Sequence, residues 1–237
     1  MRAPALIMLA AMLCASCSVK EVRDVCPCML EIDCSAFADV AGSVYMDLDG
    51  RVMERSVEDD EDMVSLFKVP KKEKISVAVW SGAQGDSLYF FGTSVQGMEE
   101  TVKVSAVPHK QFASVLLKVL SSEENFVSFT VKSNYCGIDL RTGRTLPGNL
   151  SIPLSGNGGN YVFCLPRQTS DSMLILEAGI DNGVVQAYPL GEWIKMAGYD
   201  WTAADLDDIA VAADFSLGHY EVSIGEWDAG DASDQII

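Results

Sequence analysis

The chain has 237 residues, with 34 Asp or Glu against 17 Lys or Arg and a formal charge of −17. So acidic a body is repelled by nucleic acid and by anionic lipid, which excludes polyanion binding and any membrane attachment through a basic patch. Hydrophobic residues make up 49%, enough to pack one large domain or two of about 100 residues each.

Arg2 and the apolar residues 5–13 form a positive n-region and a short h-region. A membrane span needs ~20 apolar residues, about twice this run, so the segment reads as a secretory signal. It leads into Leu13-Cys14-Ala15-Ser16-Cys17. Small residues before a cysteine match a bacterial lipoprotein lipobox, with Leu13 one place further from Cys17 than the usual pattern. The reading is a signal peptide over residues 1–16, cleavage before Cys17, and lipid on Cys17. Ordinary cleavage with Cys17 left as a thiol is the alternative. Each buried CH2 of an acyl chain contributes ~0.8 kcal/mol, so several chains on one residue make a stable anchor. Residues 17–25 are a polar tether.

From residue 26 onward the pattern has mostly period two, the signature of half-buried antiparallel strands. Leu30, Ile32 and Cys34 alternate with Glu31, Asp33 and Ser35; Val44, Met46 and Leu48 alternate with Tyr45, Asp47 and Asp49. Asp49-Gly50 is a hairpin turn signal. An acidic loop, residues 58–62, precedes a dense β run over residues 75–80 that Ser81-Gly82 closes. Further strands are predicted over residues 112–120 and 126–131. Residues 150–154 and 161–165 flank a glycine-rich turn, and residues 173–176 and 184–188 continue the series. Leu190, Trp193, Ile194 and Ala197 then follow helical spacing, behind Pro189 and ahead of Gly198. A last strand alternates Tyr220, Val222 and Ile224 with Glu221, Ser223 and Gly225. An acidic tail follows and ends in Ile236-Ile237. No exact internal repeat is visible. The fold expected is mostly β, with two tandem β-sandwich domains, residues 26–120 and 121–237, and a short helix in the second.

Cys14 leaves with the signal and Cys17 takes lipid, so Cys26, Cys28, Cys34, Cys136 and Cys164 remain. Outside the cytoplasm disulfides persist, and Cys136 and Cys164, in one half of the chain, are a candidate pair. An odd number leaves at least one thiol.

Residues 188–209 (Tyr188-Pro189-Leu190-Gly191-Glu192-Trp193-Ile194-Lys195-Met196-Ala197-Gly198-Tyr199-Asp200-Trp201, then Asp205-Leu206-Asp207-Asp208-Ile209) resemble the C-terminal region of FimB-like fimbrillin lipoproteins, the anchor or accessory fimbrial subunits of Bacteroidales-type pili. The lipobox, Cys26-Pro27-Cys28, Asp49-Gly50, the strand end Val77-Ala78-Val79-Trp80-Ser81-Gly82 and the closing Val222-Ser223-Ile224-Gly225-Glu226-Trp227 agree with it. The resemblance implies two transthyretin-like sandwiches and a place at the base of, or accessory to, a fimbrium at the outer membrane. It also implies pilins as partners, bound by strand exchange. Candidate exchanging elements are the first strand, with Met29 and Ile32, and the last segment, with Ile224 and Ile236. Related structural pilins are cut after an early arginine; Arg51 and Arg55 are expected instead on a solvated hairpin.

No catalytic, metal or cofactor constellation is expected. His109 and His219 are the two histidines, and no Gly-x-Ser-x-Gly elbow accompanies them. Cys26-Pro27-Cys28 lacks the partners of a zinc site. Asp47, Asp49 and Glu58 fit a calcium loop in part, but Arg51 stands where a ligand belongs, so a β-turn is the better reading. Asp205, Asp207 and Asp208 are expected at a helix start and solvated turn. The rival function is a surface lipoprotein that binds carbohydrate or a host ligand. Clustered exposed aromatics would favour it, with Trp80, Tyr89, Phe90, Phe91, Trp193 and Trp201 the residues to inspect. Trp80 and Trp193 are expected in the core.

Overall fold

The structure is a computed structural model and describes residues 27–56, 63–82, 87–121, 126–157, 159–180 and 183–225. The signal, the tether with Cys17, Glu58 and the tail with Ile236 lie outside these. Among the described residues no helix is long and apolar enough to cross a membrane.

The chain forms two β-sandwiches. In the first, a three-stranded sheet of β4 (Val64–Val69), β1 (Cys28–Asp33) and β7 (Thr101–Ser105) faces a sheet in the order β3 (Arg51–Ser56), β2 (Ser43–Leu48), β5 (Ile75–Ser81), β6 (Tyr89–Val95) and β8 (His109–Lys110). In the second, a sheet of β12 (Gly156–Asn157), β13 (Asn160–Pro166), β9 (Phe112–Ser121), β16 (Ile209–Asp214) and β17 (His219–Ile224) faces β11 (Thr145–Leu154), β10 (Phe126–Ile138), β14 (Ile175–Ile180) and β15 (Val185–Tyr188). The two follow one topology. The opening strand, β1 or β9, lies mid-sheet, antiparallel to β4 or β13 and parallel to β7 or β16. The opposite sheets, β3-β2-β5-β6 and β11-β10-β14-β15, correspond strand for strand.

Alternation explains the burial. Cys28, Leu30 and Ile32 on β1 are fully buried against Val44, Met46, Val77 and Val79, while Met29, Glu31 and Asp33 face outward. Fully burying a side chain such as Leu30 or Ile32 stabilises the fold by ~1.5–3 kcal/mol. The second core gathers Val115, Leu117, Val131, Leu165, Leu176 and Val211 beneath helix α1 (Leu190–Met196). Pro189 precedes the helix, Leu190, Trp193 and Ile194 point inward, and Gly198, at φ +84°, ends it.

Two expectations are corrected. Residues 112–120 were assigned to the first domain, but β9 pairs with β13 and β16, so the change of sandwich falls at Gln111. Cys136 lies on β10 and Cys164 on β13, in opposite sheets; the Cys136 thiol donates to the Leu146 carbonyl at 3.7 Å rather than being bonded to Cys164.

The sandwiches meet through the tip of the β10–β11 hairpin, which lies on the outer face of β5 and β6. Ile138 and Leu140 pack there with Ala78, Leu88, Phe90 and Trp80. The strap at residues 109–111 is clasped by the loop that follows α1. Asp205 accepts from the Lys110 N–H at 2.7 Å and lies 3.0 Å from His109 Nδ1, and Asp208 accepts from Lys110 Nζ at 2.6 Å and from the Ser114 N–H at 2.7 Å. These aspartates are therefore fasteners between sandwiches, not a helix start.

Candidate subunit-interaction site

A chain that associates by strand exchange needs a sheet edge with free backbone groups and apolar surface within reach. The edges differ in what blocks them. On β11, Pro147 and Pro153 remove two donors from the outer side, as in strands protected against pairing. β15 has four residues and runs into Pro189; β8 has two. β17 carries six residues without proline, and among the described residues the one strand that pairs with it is β16.

The flanks of β1 and β9 differ more. In the second sandwich, β17 covers the outer side of β16 along six residues, and β12 pairs with the first two residues of β13, giving five strands in the sheet. In the first, the equivalent β4-β1-β7 sheet has three, and among the described residues no strand pairs with the outer side of β4 or β7. Among the described residues, the full strand that β17 adds in the second sandwich thus has no counterpart in the first.

The β4 side also has the apolar surface. Where β4 and β3 face each other across the seam, a cleft of about 780 Å3 opens, lined by Met29, Leu48, Met53, Phe67 and Val69. Leu66 stands on its lip, 59% exposed. The rim is basic: Arg51, Lys68 and Lys72 border the cleft on a chain that is otherwise strongly acidic. Lys72 Nζ holds Asp49 at 2.5 Å, and the Ser76 N–H donates to Asp49 Oδ1 at 3.0 Å. Partial burial raises the Asp49 pKa, but the bonds from Lys72 and Ser76 outweigh it and hold the carboxyl below its ordinary value. Asp49, at φ +51°, forms the predicted turn with Gly50, whose N–H donates to Asp47 Oδ1 at 2.5 Å. At its other end the seam is closed by Arg55, which donates to the Val64 carbonyl at 3.0 Å and to Ser65 Oγ. Arg55 is therefore a stitch between sheets, not a solvated hairpin residue, and neither arginine precedes β1.

Met29 lines the cleft and Ile32 is fully buried, both on β1, which is paired along both sides and occupies the middle of its sheet. Ile224, 38% exposed, ends the open β17 on the other sandwich. The structure therefore places Met29 and Ile32 on one sandwich and Ile224 on the other, while Ile236 lies outside the described residues. What the sequence reading missed is β4 itself. Leu66 and Val64 on the face away from buried Ser65 were a signal, but alternation cannot say which strand lies at an edge.

The remaining chemistry is accounted for locally. His219 is exposed on β17, and His109 belongs to the strap. Among the described residues no three His, Cys, Asp or Glu side chains could hold a metal ion together. Cys34 is buried, and its thiol is pushed up to about 11, first by burial and then by the charge of Asp33. Arg167 is buried as well. It donates through Nε to Gln111 Oε1 at 2.7 Å, and through its terminal nitrogens to the carbonyls of Trp201 at 2.5 Å and Ala204 at 3.0 Å.

No family model and no curated protein matches the chain. Solved structures do. A candidate polysaccharide-binding protein from Bacteroides thetaiotaomicron superposes with a TM-score of 0.62 at 9% identity, over 86% of this chain and 99% of that one. A candidate adhesin from the same organism gives 0.55 at 10% identity, over 85% and 97%. The fimbrial anchor protein Mfa2 from Porphyromonas gingivalis gives 0.54 at 12% identity, over 85% and 98%. Identities this low establish a common fold along nearly the whole length. The resemblance read from residues 188–209 is borne out at that level.

Proposed function

We propose that this chain, which shares its fold with a fimbrial anchor protein and with candidate adhesins of the Bacteroidales, is a structural fimbrial subunit of the anchor or accessory type. It is held in the outer membrane through lipid on Cys17 and joins pilins by strand exchange, with no enzymatic step. The observation that carries the reading is the incomplete first sandwich. Its β4, with which no strand pairs on the outer side among the described residues, lies over an apolar cleft with a basic rim. An extended segment laid antiparallel along β4 completes the sheet through main-chain hydrogen bonds while alternate side chains enter the cleft. β17, without proline and leading into the acidic tail, is the element that would complete another subunit. Residues 17–25 serve as the tether in this scheme, and the division into domains falls at Gln111.

The test is a pull-down of the tagged protein from its native envelope, with mass spectrometry of partners and of the N-terminal peptide. Fimbrial subunits recovered with an acylated Cys17 support the reading. An acylated Cys17 without any pilin refutes the fimbrial part; pilins with an unmodified Cys17 refute the anchor.

A further inference from the structure

Trp80, expected in the core, is not fully buried: it stands partly exposed on the outer face of the β3-β2-β5-β6-β8 sheet. The registers put it in a row. Glu54 pairs with Tyr45, Tyr45 with Trp80, Trp80 with Phe90, and Phe90 with His109, so five side chains cross the sheet in a line perpendicular to the strands. The hairpin tip of the second sandwich covers the Phe90 end, where Trp80 and Leu140 both pack against the Ala78, Leu88, Phe90 and Ile138 cluster. It leaves the Tyr45–Trp80 pair open, the two rings 5.8 Å apart and within 18° of parallel. Tyr45 Oη donates to Glu54 Oε1 at 3.1 Å. Ser43 and Ser56, paired with each other, border the rings on one side. Asp47 and Arg141, 3.5 Å apart, border them on the other. Beside Tyr45 a second cleft, of about 520 Å3, opens between Ser43, Gly82 and Ser87.

We infer that this face binds a neutral saccharide chain. Aromatic rings with polar edges, held by packing, suit a ligand that presents an apolar ring face and hydroxyl edges in alternation. The rings supply the first; the Glu54 carboxylate, the indole N–H, the serine hydroxyls and the Arg141 guanidinium supply partners for the second. A peptide strand is disfavoured, because the rings stand on β2 and β5, whose backbone bonds are taken by neighbours on both sides. Acidic glycans are disfavoured by the Glu54 carboxylate at the edge of the row and by the net charge of −17. Trp80 packs against the cluster that Ile138 of the second sandwich joins.

The test uses the full mature chain without any pilin, so its outcome is independent of the fimbrial reading. The protein is run in native gels containing starch, galactomannan, xyloglucan or yeast mannan, with pectin and hyaluronan as acidic counterparts, and on a printed glycan array. At least one neutral glycan retards it, the acidic ones do not, and Trp80→Ala and Tyr45→Ala each weaken binding about tenfold or more, as expected for central aromatic contacts. Circular dichroism checks folding. If Trp80→Ala unfolds, Tyr45→Ala, at the open end of the row, decides. Absence of binding to every neutral glycan, equal retention by pectin, or undiminished binding by the folded Tyr45→Ala variant overturns the proposal.

Discussion

Gly143 tests how the sandwiches are joined. It sits in the β10–β11 turn at φ +68°, and a Cβ built on it would lie 2.8 Å from Cε1 of Phe90 and 3.4 Å from its Cζ. The turn cannot relax easily. The Gly143 N–H donates to the Asp139 carbonyl at 2.7 Å, and the Asp139 N–H to that of Arg144, also at 2.7 Å. Phe90 has little room to retreat either, being buried among Ala78, Leu88 and Ile138. Gly143→Ala therefore incurs the left-handed backbone cost of ~1 kcal/mol and an overpacking cost of ~1–3 kcal/mol, together about 2–4 kcal/mol. In a chain of this size that lowers Tm by about 5–15 °C. Phe90→Leu removes the atoms that would be struck, so the two substitutions couple by ~1 kcal/mol in a double-mutant cycle. Denaturation followed by circular dichroism gives the global loss, and Trp fluorescence adds a signal to which Trp80, packed against the same cluster, contributes. A Gly143→Ala protein within ~0.5 kcal/mol of wild type, the range of an ordinary surface change, with no coupling to Phe90, would refute the docking of the hairpin on this face.

Acid should weaken the fold from a defined point. Asp33 and Asp139 are held below the ordinary carboxyl range chiefly by hydrogen bonds from Ser35 and Arg141, and Asp205 is lowered because His109 and Lys110 outweigh its partial burial. A pKa depressed in the folded state gives stability that is complete above the unfolded value near ~4 and is lost as pH falls through the folded value, so Tm holds above about pH 5 and declines below about 4. A Tm that stays unchanged as the pH falls from about 4 to about 2 would contradict this. Cys34, buried with its thiol raised to about 11, should resist iodoacetamide at pH 8 in the native protein while the more accessible Cys136 reacts. Equal rates, read by peptide mass spectrometry, would be the contrary result. Arg167→Met strands the Gln111 oxygen and the Trp201 carbonyl, each worth ~1–3 kcal/mol, and should destabilise by about 2 kcal/mol or more in urea titration. A loss under ~1 kcal/mol would mean that those acceptors find other donors.

Local elements were legible because local chemistry decides them. Alternation at Leu30, Ile32, Val44 and Met46 located β1 and β2; Asp49-Gly50 located the turn; Leu190, Trp193 and Ile194 between Pro189 and Gly198 located the helix. The partners of each strand were not legible. β1 pairs in parallel with β7, more than sixty residues away, and β9 with β16 in the same way, so nothing near residue 112 signals that its strand belongs to the second sandwich. The duplicated topology left no matching residues, since two cores of one shape accept different apolar side chains. Cys136 and Cys164 could be paired by proximity in the chain, yet facing sheets separate them. Trp80 read as a core residue because Val77, Ala78 and Val79 around it are buried. Only the register with Tyr45 and Phe90 shows that it lies on the outer face.

The central claim is that β4 receives a strand from a fimbrial subunit. A photo-crosslinking amino acid in place of Leu66, on the open flank of β4, tests it in cells, with Met173, 66% exposed on the other sandwich, as the control position. The account predicts an adduct at position 66 whose cross-linked peptide comes from a pilin, and none at 173. Adducts with pilin at neither position, or equally at both, would contradict it.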